Sequence, residues 1–188
     1  TIVIDAMGGE DSPYKILKGA EIFSNNHTEV SLKIFGDKNI ILKTIKNHLI
    51  YLNDYDIFDC KENVSDDDNA NTILRSRKNS SIFRGLTYVK ENSNSGFVSA
   101  GNTAAIMILS RLIFGMIEGI KRPAICSNIP NKKSFSLMMD LGANVYVNAD
   151  NLLQFALMGY AYFSIIDPKR NPKIGLINIG IENNKGLE

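Results

Sequence analysis

Three short loops hold the residues whose types and spacing could do chemistry. They are Asp5-Ala6-Met7-Gly8-Gly9-Glu10-Asp11-Ser12-Pro13, Ser99-Ala100-Gly101-Asn102-Thr103 and Asp140-Leu141-Gly142-Ala143-Asn144. Each couples small residues with a carboxylate or an amide. Glycine lets another backbone or a ligand come close to the main chain. A helix opening directly after such a loop offers N–H groups that have no intrahelical acceptor. Together these features suit an anion such as phosphate, although each loop taken singly is equally a tight strand-to-helix turn. The chain contains no G-x-G-x-x-G, no G-x-x-x-x-G-K-[ST] and no G-x-S-x-G. That argues against a dinucleotide-binding Rossmann domain, a P-loop NTPase and an α/β-hydrolase. His27 lies in a polar turn and His48 on a lysine-rich segment, so a His-based triad has little support.

Loops of this kind need strands that deliver them. Short Ile/Val-rich runs predict strands at 1–5, 30–35, 55–59, 96–99, 124–128, 135–140 and 173–179. Between them the apolar residues recur at helical spacing, as in Ile16, Leu17, Ala20 and Phe23, or Ile41, Leu42, Ile45 and Leu49. This predicts helices at 13–24, 38–49, 80–91, 103–117 and 150–166. The polar stretch 61–71, with Asp66-Asp67-Asp68, reads as a solvated loop rather than a metal site. Strands alternating with helices point to parallel βαβ units, and near-continuous apolar strands point to a sheet covered on both faces. The expected fold is α/β, a three-layer α/β/α sandwich with a mostly parallel sheet, forming a single domain over residues 1–188. In such sheets ligands bind beyond the carboxyl ends of the strands.

Composition narrows the function classes. The chain has 188 residues, is 44% hydrophobic and carries a formal net charge of +1, so it can build a core but has no global basic field for nucleic acid. Two cysteines and two histidines exclude a disulfide framework and leave a structural zinc site without ligands. The most apolar run, 104–117, is interrupted by Ser110 and Arg111 and is shorter than the ~20 residues that span a bilayer. The start, Thr1-Ile-Val-Ile-Asp5, lacks signal-peptide features. It begins without Met and already in a strand, so removal of a few preceding residues is expected. Locally, Arg75, Arg77, Lys78 and Arg84 cluster, with Lys121-Arg122 and Lys132-Lys133 further on. The cluster is either a solvated face or a docking face for an acidic partner or a phosphate-bearing ligand.

Taken in order, a series of short motifs resembles the PlsX-type phosphate acyltransferases over residues 2–188. The series begins with Ile4-Asp5-Ala6-Met7-Gly8-Gly9, Gly36-Asp37, Arg77-Lys78 with Ser80-Ser81, and Phe97-Val98-Ser99-Ala100-Gly101-Asn102-Thr103. It continues with Arg122-Pro123-Ala124, Asp140-Leu141-Gly142-Ala143-Asn144, Gln154-Phe155-Ala156 with Met158-Gly159, and Asn178-Ile179-Gly180. The resemblance implies a fold similar to the isocitrate/isopropylmalate dehydrogenases and phosphotransacetylases. It also implies an acyltransferase that converts acyl-[acyl carrier protein] and inorganic phosphate to acyl-phosphate and free carrier protein for phospholipid synthesis. Further implications are a homodimer in the cytoplasm with loose peripheral membrane association, no metal and no nucleotide or other cofactor, no nucleic-acid partner, and family members that continue past Glu188.

On that resemblance phosphate is expected near Gly8, Gly9, Ser99, Gly101, Asn102, Thr103, Gly142 and Asn144, with Lys185 as a charge partner, and Ser99, Asn102 and Lys185 are the expected catalytic residues. Asp5 and Asp140 would fix loop geometry, and Arg77 and Lys78 would meet the substrate. Ser99 is either a polar contact or a covalent acyl carrier. An acyl slot could be lined by Met107, Leu109, Phe155 and Met158, which are equally plain core. Transfer from acyl-CoA, as in a phosphotransacetylase, and a non-catalytic carrier-protein or membrane scaffold remain as alternatives. The chain departs from the family pattern at Glu10-Asp11-Ser12, Asn79 and Ala104, and in the segment 179–188.

Overall fold

The structure is a computed structural model, which describes residues 1–65, 68, 70–178 and 180. The chain divides into two compact units, Thr1–Gly115 and Met116–Glu188.

In the first unit apolar alternation decides the layers. The elements run β1 (Ile2–Asp5), α1 (Tyr14–Asn26), β2 (Leu32–Gly36), α2 (Lys38–His48), β3 (Tyr55–Asp59), α3 (Ala70–Ser76), α4 (Ser81–Glu91), β4 (Gly96–Val98) and α5 (Thr103–Phe114). The four strands form one parallel sheet in the order β3-β2-β1-β4. Successive strand side chains point to opposite faces. Ile4, Leu32 and Ile34 therefore pack with Leu17 and Ala20 of α1 and Ile41 of α2. Val3, Phe35 and Phe97 turn the other way, toward Tyr88 and Val89 of α4. Outside them, Ile82 and Leu86 of α4 close on Ala105, Leu109 and Ile113 of α5. Helices thus cover both faces of a parallel sheet, the expected three-layer α/β/α sandwich.

Helix starts follow local capping chemistry. The Asp37 carboxylate accepts from the N–H groups of Asn39 and Ile40, and the Ser80 hydroxyl accepts from Phe83 N–H. Such caps satisfy N–H groups that the helix itself cannot pair. Helix α5 stops at Phe114, three residues short of the expected end, because Gly115 takes a φ of 79°. The stretch read as a loop over 61–71 gives way at Ala70 to a short helix, α3. With Ile73 as the one fully buried anchor among its described side chains, α3 carries too little apolar periodicity to be legible. Asp66 and Asp67 lie outside the described residues.

The second unit holds an antiparallel hairpin, β5 (Cys126–Pro130) with β6 (Phe135–Met139), and α6 (Ala149–Ile166). The helix opens with a reciprocal Asn148–Asn151 capping box. The Arg170 guanidinium stacks over Phe135 and Phe163, 4.9 Å from each ring centroid. The strand expected at 173–179 is not formed over 173–178; residue 179 lies outside the described residues. Ile174, Leu176 and Ile177 are exposed there. No strand among the described residues lies alongside them, and β propensity is realised only against a neighbour.

Candidate active site

Strand order creates the site. From β1 the chain steps to β2 on one side, while β4 pairs with β1 on the other, so the sheet changes direction between β1 and β4. In open α/β sheets ligands bind at such switch points, outside the carboxyl ends of the strands. Here Ile4 pairs in register with Val98, which brings the next residues, Asp5 and Ser99, together across 94 positions of sequence.

Asp5 is 1% exposed and ties both loops. Its Oδ2 accepts from the Ser99 hydroxyl at 2.7 Å, and its Oδ1 accepts from Met7 N–H at 3.1 Å. Ser99 Oγ in turn accepts from Gly101 N–H at 3.0 Å. Through these two bonds Ser99 bridges the two loops. The glycines are required because the loops touch backbone to backbone. A Cβ on Gly8 would lie 2.5 Å from Asp5 Oδ2 and 2.7 Å from Gly101 N. A Cβ on Gly101 would lie 3.2 Å from Gly8 Cα.

The crossing opens into a cleft of about 480 Å³. Gly8, Gly9 and Glu10 border it from the first loop, Gly101 and Asn102 from the second, and Ser81 from the start of α4. Asn102 caps α5, its side-chain oxygen accepting from Ala105 N–H at 2.9 Å. Thr103 follows as the first residue of α5, with its side chain exposed. Asp5 and Glu10 supply the charges of the lining, and no Lys or Arg among the described residues joins them. An anion here would be met by backbone N–H groups and hydroxyls at the starts of α4 and α5.

The remaining sequence-selected residues fall into three groups. Arg77 is held by Asp68 in a two-pronged pair, Nε to Oδ2 at 2.9 Å and Nη2 to Oδ1 at 2.8 Å. The guanidinium, helped by Ser65 N–H, keeps the Asp68 carboxyl below the usual carboxylate range. Arg84 donates to the Asp59 carbonyl, whereas Arg75 and Lys78 are exposed. Burial at Cys60, beside Arg84, pushes its thiol up. Asp140, Gly142 and Asn144 belong to the second unit. There Asp140 accepts from Ile125 N–H at 2.8 Å, from Asn144 N–H at 2.8 Å and from Asn144 Nδ2 at 3.1 Å. Burial pushes this carboxyl up, but these donors and Ala143 N–H together hold it below its ordinary value. Gly142 turns the loop at a φ of 85°. Lys185 lies outside the described residues.

Of the proposed acyl slot, Leu109 is fully buried in the α4–α5 core of the first unit. Phe155 lines a cavity of about 550 Å³ within the second, beside Leu137, Phe163 and Leu176. Met107 and Met158 are half-buried. Among the described residues, no group of three or more His, Cys, Asp or Glu side chains is placed to hold a metal ion. Ser81, with Val64, Ser65 and Ile82, lines the cleft from outside the selected loops. Its one signal in the sequence is the Ser80-Ser81 pair at a helix start.

Comparison with known proteins gives a consistent result. The family model described as fatty acid synthesis protein matches residues 1–188. The phosphate acyltransferase of Caldicellulosiruptor bescii is 42% identical over 185 residues, covering 98% of this chain and 55% of that protein. The Clostridium tetani phosphate acyltransferase is 38% identical over 187 residues, covering 100% and 56%. That of Wolbachia pipientis wMel is 40% identical over 189 residues, covering 98% and 55%. The chain thus spans slightly more than half the length of these curated relatives.

Proposed function

The chain belongs to the fatty acid synthesis protein family, and on that premise we propose that the protein transfers an acyl group from acyl carrier protein to inorganic phosphate, supplying acyl-phosphate for phospholipid synthesis. The observation that carries this reading is the cleft at the β1–β4 switch point, where two glycine loops and two helix starts gather donors around one space.

The chemistry asks little else of the protein. Phosphate at neutral pH is already nucleophilic, and a thioester carbonyl is reactive. One phosphate oxygen attacks the carbonyl carbon, a C–O bond forms, and the C–S bond breaks. The carrier leaves as a thiolate that takes a proton from water. The protein's contribution is to fix the two reactants near each other and to aim donors at the developing oxyanion. Gly8, Gly9, Gly101 and Asn102 border the space for that step, and Asp5 and Ser99 hold the loops that carry them. Because the lining holds two carboxylates and no described cation, a positive partner is needed, and Lys185 is assigned that role. Arg75 and Lys78, both exposed, are assigned to the acidic carrier protein. The protein acts as a cytoplasmic homodimer, peripheral to the membrane. Among the described residues no helix is long and apolar enough to cross a bilayer.

The test is phosphate-dependent release of free thiol from acyl carrier protein by the full-length protein. Absence of release at saturating phosphate removes the reading. Faster release from acyl-CoA under the same conditions moves the donor to CoA.

A further inference from the structure

We infer that the Ser81 hydroxyl is a phosphate-binding group of the β1–β4 cleft, donating a hydrogen bond to an oxygen of the phosphate held there; this rests on the acyltransferase reading above. Ser81 is 2% exposed and lines the cleft. The other buried serines are committed internally. Ser24 Oγ donates to the Glu21 carbonyl at 3.1 Å, and Ser80 Oγ donates to the Arg77 carbonyl at 2.7 Å while capping Phe83 N–H. Half-buried Ser99 gives its proton to Asp5. The Ser81 hydroxyl is not among the sealed, unpaired polar atoms of the described residues; it opens on the cleft, where a ligand oxygen can take the place of water as its acceptor.

The local backbone points the same way. Ser81 is the first residue of α4, an eleven-residue helix capped by Ser80. Its own N–H and that of Ile82 have no intrahelical acceptor, and both residues border the cleft. The positive end of the helix dipole therefore accompanies the hydroxyl. Asn102, which caps α5, borders the same space, so two helix starts serve one ligand. That pattern fits a multiply charged tetrahedral anion better than a neutral carbonyl, which needs one or two donors.

The experiment uses the full-length protein with acyl carrier protein as donor and inorganic phosphate as the varied substrate. Ser81→Ala raises the KM for phosphate about tenfold or more, since a hydrogen bond to a charged oxygen is lost, and leaves the KM for the acyl donor within about twofold. Ser81→Cys keeps the side-chain size with a weak donor and shifts the phosphate KM in the same direction, which covers the case in which the alanine variant folds poorly. As a readout besides turnover, inorganic phosphate raises the Tm of the wild type more than that of either variant. An unchanged phosphate KM in a folded, active Ser81 variant overturns the inference and leaves the acyltransferase reading standing. A rise confined to the acyl-donor KM also overturns it, by placing the hydroxyl on the thioester. A wild type whose Tm responds to phosphate through Ser81 but which releases no thiol supports the binding site while refuting the reaction.

Discussion

Replacing Gly8 by alanine tests the site at its narrowest point. The added Cβ would lie 2.5 Å from Asp5 Oδ2, 2.7 Å from Gly101 N and 2.8 Å from Gly101 Cα. Two of these atoms are backbone, and the third belongs to a carboxylate held by Ser99 and Met7. None is the free end of a flexible side chain, so the two loops must separate by about half an ångström or more to reach ordinary contact. Overpacking of this kind costs about 1–3 kcal/mol. Separation also strains the 2.7 Å Ser99–Asp5 bond. Displacement of reacting groups on the ångström scale lowers rates by about 100-fold, so activity should fall further than stability. Urea unfolding of the full-length protein measures the first effect, and phosphate-dependent thiol release measures the second. Gly19→Ala is the matched control. A Cβ there meets nothing within 4 Å, and in helix α1 alanine should stabilise by about 0.5–1 kcal/mol. If Gly8→Ala matches the wild type in both midpoint and rate, the close crossing of the two loops is wrong.

Three further outcomes follow from the same geometry. The Asp140 carboxyl is held below its ordinary value by its N–H donors, so its folded-state pKa lies under its unfolded one. Its contribution to stability is complete above the ordinary carboxylate range and is lost as pH falls through the depressed value. Asp140→Asn should flatten the acid limb of the stability curve, and an unchanged limb in urea titrations from neutral to acid pH refutes this. Arg77→Ala should lower thermal stability by releasing Asp68, with little effect on the KM for carrier protein, whereas Lys78→Ala should raise that KM several-fold with no change in Tm. The reverse pattern would assign Arg77 to docking. Ser99→Ala should slow turnover about tenfold through looser loops, and rapid-quench mass spectrometry of the wild type should find no acyl group on Ser99. A trapped acyl-serine there would replace direct attack by phosphate with a covalent route.

Much of the fold can be read from spacing alone, and particular residues show why. Strand β3 occupies Tyr55–Asp59 as its alternation predicts, and α2 begins at Lys38 because Asp37 caps it. Local chemistry settles these elements, so a sequence reader can find them. Helix α3 escapes because seven residues with a single buried isoleucine carry no period. The segment 173–178 reads as strand from its Ile and Leu content, yet has none of the pairing that would make it one. Propensity describes the segment, whereas a ladder requires a second segment.

The same division runs through the site. The glycine-acid loops, the capping residues and the family resemblance are properties of short stretches, and the sequence by itself determines them. Which loops meet is a property of strand order, decided when β4 pairs beside β1 and brings Ser99 onto Asp5. Such contacts give each side chain its neighbours: Ser99 donates to Asp5 across the two loops, and Arg77 pairs with Asp68. Ser81 becomes a candidate only when its burial and its place on the cleft are known. A side chain's chemistry is inherited from its type, but whether its proton is free depends on neighbours far away in sequence, and only the tertiary structure supplies them.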